Sequence, residues 1–129
     1  MGGEWVCFIL AESAPNVRRW APVKRFDMGG GRQIDRFGSV GVSLQGISRR
    51  VLQVVVMRIE PGGRIGRHPA AALQLFAVSS GSGWVSGDDG ERISIVAGEA
   101  VVWDLGEEHE SGSDEGMTAL VVEAEGLDA

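Results

Sequence analysis

Cysteine occurs once, at Cys7, so no disulfide can form within the chain. That usage suits a reducing compartment and gives the expectation of a cytoplasmic protein. Long apolar runs are also missing, since none approaches the ~20 residues of a membrane span. The apolar residues 5–11 are few, have no basic leader and are followed by Glu12, so no signal peptide is expected. Positive charge is scarce. Twelve Lys and Arg against 18 Asp and Glu leave a net charge of −6, which argues against nucleic acid or an anionic membrane as partner, because either needs a cationic face. No stretch sustains an apolar period of three to four residues, so no long helix is expected. Nucleophilic catalysis finds no support: no serine sits in a Gly-x-Ser-x-Gly elbow, and Cys7 is distant in sequence from both histidines. Gly29-Gly30-Gly31 follows no strand and opens no helix, which excludes a phosphate loop.

What the chain has instead is glycine, 20 residues in 129, roughly twice the usual share. Short apolar runs alternate with Gly, Pro, Asp and Ser every eight to twelve residues or so, the pattern of a β-sandwich or small barrel. The length implies one domain. Residues 1–25 read as an N-terminal arm and 26–129 as the barrel. The arm opens with residues 1–11, which read as a short strand, apolar over 5–11, or as a start-site extension. Left bare, such a strand is an aggregation hazard, so it is expected to pair with an edge of its own sheet or a partner's, giving a homodimer. Arg18, Arg19, Lys24 and Arg25 cluster in the arm, which reads as a solvated extension or an anion site.

Residues 34–44 are a candidate strand pair with a turn near Gly38. Residues 51–59 are nearly continuously apolar and β-branched, which predicts a central strand buried on both faces. Residues 73–79 form a strand with Gln74, Phe76 and Val78 on one face. A turn is expected at 80–83 and a hairpin turn at 87–90, where Asp89-Gly90 is a strong signal. Further strands are expected at 92–96, 100–103 and 117–124. Residues 104–116 read as a long acidic loop carrying Glu107, Glu108, His109 and Glu110.

Two segments then resemble the motifs of the cupin family. Pro61-Gly62-Gly63, His68, Gln74 and Gly81-Ser82-Gly83 follow the order of the first motif, and Ala97-Gly98-Glu99 with His109 that of the second. The resemblance implies an all-β double-stranded β-helix, a jelly-roll barrel of two packed sheets. It departs from the family at the second histidine of the first motif, where Ala70 stands, and at the motif's glutamate, where Gln74 stands. The family's three-His, one-carboxylate metal site is thereby reduced to His68, His109 and Gln74.

Divalent transition metals take three or four ligands, usually with an anionic oxygen among them. Two readings of the histidines follow. They line a polar pocket mouth, or they hold Zn, Ni, Fe or Mn with help from a carboxylate near His109, such as Asp104, Glu107, Glu108 or Glu110. The expected pocket is lined by His68, Gln74, His109, Phe76, Val78 and Trp103. Trp84 and Trp103 read as core filling or as an apolar wall for a ligand. Gln53, Arg58 and Gln74 interrupt apolar strands, and each needs a partner if it points inward. The functional expectation is binding or sensing of a small molecule, an anionic one included. The alternative is a metal-dependent enzyme of the oxygenase or isomerase type.

Overall fold

The computed structural model describes residues 22–127. The expected strand at 5–11, the strand-mediated dimer built on it, Cys7, Arg18 and Arg19 lie outside the described residues. The rest is all-β. In chain order the strands are β1 (Lys24–Phe26), β2 (Arg32–Ile34), β3 (Val42–Leu44), β4 (Val51–Ile59), β5 (Arg64–Pro69), β6 (Leu73–Ser86), β7 (Ile93–Val96), β8 (Ala100–Trp103), β9 (Glu108–Gly112) and β10 (Met117–Ala124). A single 3-10 turn at Arg36–Gly38 joins the β2–β3 pair, close to the expected turn.

Two antiparallel layers share β6. The first runs β1-β8-β6-β10-β4. In the second, the far half of β6 lies between β7 and β9, and β9 also pairs with β5. Between the layers pack Phe76, Val78, Val85, Ile95, Val101, Trp103, Met117, Ala119 and Val121. A smaller cluster of Leu75, Ala77, Ala100, Val102 and Val122 lies on the outer face of the first layer, under Phe26, Ile47, Leu73 and Leu127. The alternation expected for 73–79 is therefore present: Phe76 and Val78 face inward, and Leu75 and Ala77 face outward.

Three expectations are corrected. First, residues 80–83 do not reverse the chain. β6 runs through them and passes from one layer to the other. Gly81, at φ +81°, bends the strand in a conformation that favours glycine, and a register shift falls opposite it at Thr118/Ala119. Second, β4 is not a central strand. Among the described residues it pairs only with β10, and Leu52, Val54 and Val56 are 53–58 % exposed. An unbroken apolar run fits an edge strand as well as a central one, because Phe26 and Ile47 cover the outer face only over the first layer's inner strands. Third, residues 104–116 are not one loop. Glu107 N donates to Asp104 O at 3.0 Å, closing a tight turn, and β9 starts at Glu108.

Candidate functional site

The third correction decides where His109 points. On β9 it lies directly opposite His68 of β5. Neighbours across an antiparallel pair share a face, and the two ring centroids are 4.3 Å apart. On its other side the His109 ring lies against Trp103, centroids 4.4 Å apart at 30°. Trp103 in turn meets Phe76 edge-on at 5.6 Å. The stack His68–His109–Trp103–Phe76 thus runs from solvent into the core: His68 is exposed, His109 is 4 % exposed and Trp103 is fully buried.

Hydrogen bonds fix the stack. Trp103 Nε1 donates to Ser86 O at 3.1 Å. His109 Nδ1 lies 3.2 Å from Glu107 O, and His68 Nδ1 lies 2.7 Å from Gly66 O. A carbonyl only accepts, so each Nδ1 carries the proton in the neutral ring, which leaves both Nε2 atoms as lone-pair acceptors. Burial holds the His109 imidazole below its ordinary range, and the nearby His68 and Arg67 push the same way. The Glu107 carbonyl and Glu123 act in the opposite sense and do not prevail. His109 is thus a neutral ring near pH 7.

The carboxylates beside His109 in sequence do not reach the pair. Glu107 accepts from Asp104 N at 2.9 Å, bracing the β8–β9 turn. Glu108 and Glu110 alternate onto the opposite face from His109, where they meet Arg67 at 3.8 Å and Arg64 at 3.9 Å. Asp104 pairs with Lys24 at 2.8 Å. A carboxylate whose charge acts on His109, favouring its charged form, is Glu123 on β10. It lies opposite Gln74 of β6 on one side and Gln53 of β4 on the other, and Gln74 Nε2 donates to Glu123 Oε2 at 3.2 Å. Sequence reasoning flagged both glutamines and missed the glutamate between them.

The structure thus brings together His68, His109, Trp103 and Phe76, with Gln74 opposite Trp103 across β6 and β8. Val78 lies deeper in the core cluster. Two surface grooves of about 540 and 460 Å³ lie along the arm, lined by Arg25, Phe26, Asp27, Arg32 and Glu99 among others, and neither includes His68 or His109. Trp84 takes no part in the stack; the Arg92 guanidinium lies 3.6 Å from its ring centroid.

Solved structures share this layering of antiparallel strands. A cupin superfamily protein from Desulfitobacterium hafniense matches with TM-score 0.54 and 17 % identity, over 60 % of this chain and 69 % of that one. The chain has the cupin fold. A predicted oxalate decarboxylase from Thermotoga maritima matches it at TM-score 0.54 and 22 % identity, over 58 % of this chain and 67 % of the other. A protein with a double-stranded β-helix domain from Klebsiella pneumoniae covers more, 81 % of this chain and 96 % of its own, at 19 % identity and TM-score 0.52. No family model matches the sequence, and no curated protein matches it.

A divalent metal does not fit the donors present. Among the described residues no three His, Cys, Asp or Glu side chains converge where an ion could be held. Two imidazole Nε2 atoms remain. Ala70, buried among core residues, gives only a methyl where the family pattern has a second histidine. Gln74 is neutral, and its amide is turned to Glu123. No helix of the described residues is long and apolar enough to cross a membrane.

Proposed function

We propose that this cupin binds a small molecule at the barrel mouth, on the surface formed by His68, His109 and the Gln74–Glu123 pair, and acts by binding or sensing rather than by catalysis. The observation that supports this reading is the paired imidazoles, each with Nδ1 tied to a backbone carbonyl and Nε2 left as an acceptor. Trp103 gives the pocket a rigid aromatic floor. The test is a fragment screen on the full chain, read by imidazole and indole ¹H–¹⁵N correlations. Binders should move the His68, His109 and Trp103 signals, and His68→Ala should weaken them. Binders that move only signals along the arm grooves would overturn the reading.

The second reading, a metal-dependent oxygenase or isomerase, draws on the same two Nε2 atoms. It requires stoichiometric uptake of Zn, Ni, Fe or Mn by untagged protein, and weak sub-stoichiometric uptake is the expected result. Self-association through residues 5–11 is proposed from sequence alone. Light scattering of the full chain and of a form lacking residues 1–11 tests it, with the dimer expected only for the former.

A further inference from the structure

The rung Gln53–Glu123–Gln74 identifies what kind of molecule the pocket takes, and this step rests on the pocket reading above. Alternation along β10 sets Glu123 on the face of Met117, Ala119 and Val121, all core residues. The ion pairs of the described residues join Lys24 to Asp104, Arg25 to Glu99, Arg64 to Glu110 and Arg67 to Glu108. None reaches Glu123, whose one hydrogen bond among the described residues comes from the neutral Gln74 amide. Glu123 is half-buried on that face, and a carboxylate that has given up part of its hydration is commonly matched by a cation.

Neither Arg67 nor Arg58 supplies that match. Arg67 turns its guanidinium to Gly87 O and Asp88 O, and Arg58 alternates onto the opposite face of β4 from Gln53. On that side lie the Glu123 carboxylate, the Gln74 amide that donates to it and the two imidazoles. Such a set is complementary to a donor-rich, positively charged ligand and opposes an anion. A bare divalent ion would draw on the same lone pairs, and among the described residues no three His, Cys, Asp or Glu side chains converge to hold it.

We propose that Glu123, flanked by Gln53 and Gln74, is the recognition group of the pocket, and that its ligand is a small organic cation with N–H donors, of the amidinium, guanidinium or ammonium class. The carboxylate accepts two N–H bonds, Gln74 holds its orientation, and His68 and His109 take a further donor through Nε2.

Three probes of one shape test this on the full chain: benzamidinium, neutral benzamide and anionic benzoate, each followed through the Trp103 Nε1–H and His109 signals. Benzamidinium should bind saturably and at least about tenfold more tightly than benzoate. Glu123→Gln, nearly isosteric and still able to accept from Gln74, should weaken benzamidinium by about 10- to 100-fold, the range of a hydrogen bond to a charged group. Equal binding of all three probes, or indifference to Glu123→Gln, would overturn the cation assignment and leave the pocket standing, because the site signals would still move. Stoichiometric displacement of benzamidinium by Zn or Ni alone would overturn it in favour of a metal. Silence of the site signals with every probe would overturn both readings.

Discussion

Trp103 is the residue on which the site geometry turns, and replacing it with phenylalanine separates its two contributions. The indole is fully buried, its Nε1–H donates to Ser86 O at 3.1 Å, and its face supports the His109 ring at 4.4 Å. Phenylalanine keeps an aromatic ring but removes the donor and part of the ring volume. The lost buried carbon costs about 1.5–2 kcal/mol, at about 0.8 kcal/mol per methylene equivalent. Leaving the buried Ser86 carbonyl unsatisfied adds about 1–3 kcal/mol. Trp103→Phe should therefore lose about 3 kcal/mol in urea unfolding and roughly 12 °C in Tm for a domain of this size. A benzothienylalanine at 103 keeps the shape and removes only the donor, so it should lose about 1–3 kcal/mol. Both changes should move the His109 imidazole resonances, since the ring that shields them is altered or released. If the benzothienyl form is as stable as the parent within about 0.5 kcal/mol, a change of the size seen at ordinary surface sites, then the Trp103–Ser86 bond does not hold the stack and the reasoning fails.

Three further outcomes follow from the same geometry. Burial lowers the His109 pKa, so the unfolded chain takes up that proton more readily; the stability His109 contributes is present above its ordinary 6.5 and is lost as pH falls through the lower folded value. Burial raises the Glu107 pKa above its ordinary 4.5, so its contribution is present below 4.5 and is lost as pH rises through the folded value. Urea midpoints across this range should lose the first slope in His109→Gln and the second in Glu107→Gln. Gly83→Ala would drive a Cβ into the Gly112 carbonyl oxygen and to 2.9 Å from Met117 Cε, where β6 and β9 meet inside the barrel, and should destabilise by about 1–3 kcal/mol in thermal melts. Gln74→Glu would set a second carboxylate against Glu123, which Gln74 now reaches at 3.2 Å. Two carboxylates so close do not both ionise readily, so the variant should match the parent near pH 4 and lose stability as pH rises toward 8.

Much of the barrel was legible because local chemistry and global fold agree along most of the chain. Asp89-Gly90 closes the β6–β7 hairpin, with Gly90 N bonded to Gly87 O at 2.9 Å. The alternation of Gln74, Phe76 and Val78 reports the face they occupy. The failures share one cause, that composition does not say what lies beside a strand. Val51 to Ile59 reads as doubly buried because every residue type there tolerates burial, yet its outer face lacks cover among the described residues. Glu108, His109 and Glu110 read as loop because they are polar and acidic. Their alternation, glutamates outward to Arg67 and Arg64 and imidazole inward, is the period-two signal of a half-buried strand.

Of the proposed site, the paired histidines were legible in the sequence and the carboxylate was not, and the register of β10 explains the difference. His68 and His109 belong to motifs with local punctuation, so their order and spacing can be read along the chain. Glu123 lies 49 residues from Gln74 in a terminal strand with no motif, and only pairing brings the two together. That pairing is not a simple count. The register shift at Thr118/Ala119, where Ser80 and then Val78 oppose consecutive residues of β10, moves the partner of Glu123 by one position. Without the shift Leu75 would stand beside the carboxylate and Gln74 would turn to the opposite face, since a one-residue slip inverts every side chain of a strand. The bend at Gly81 that carries β6 between the layers is thus tied to the placing of an amide next to Glu123. The polar chemistry of the mouth therefore depends on a backbone irregularity near the other end of the same strand.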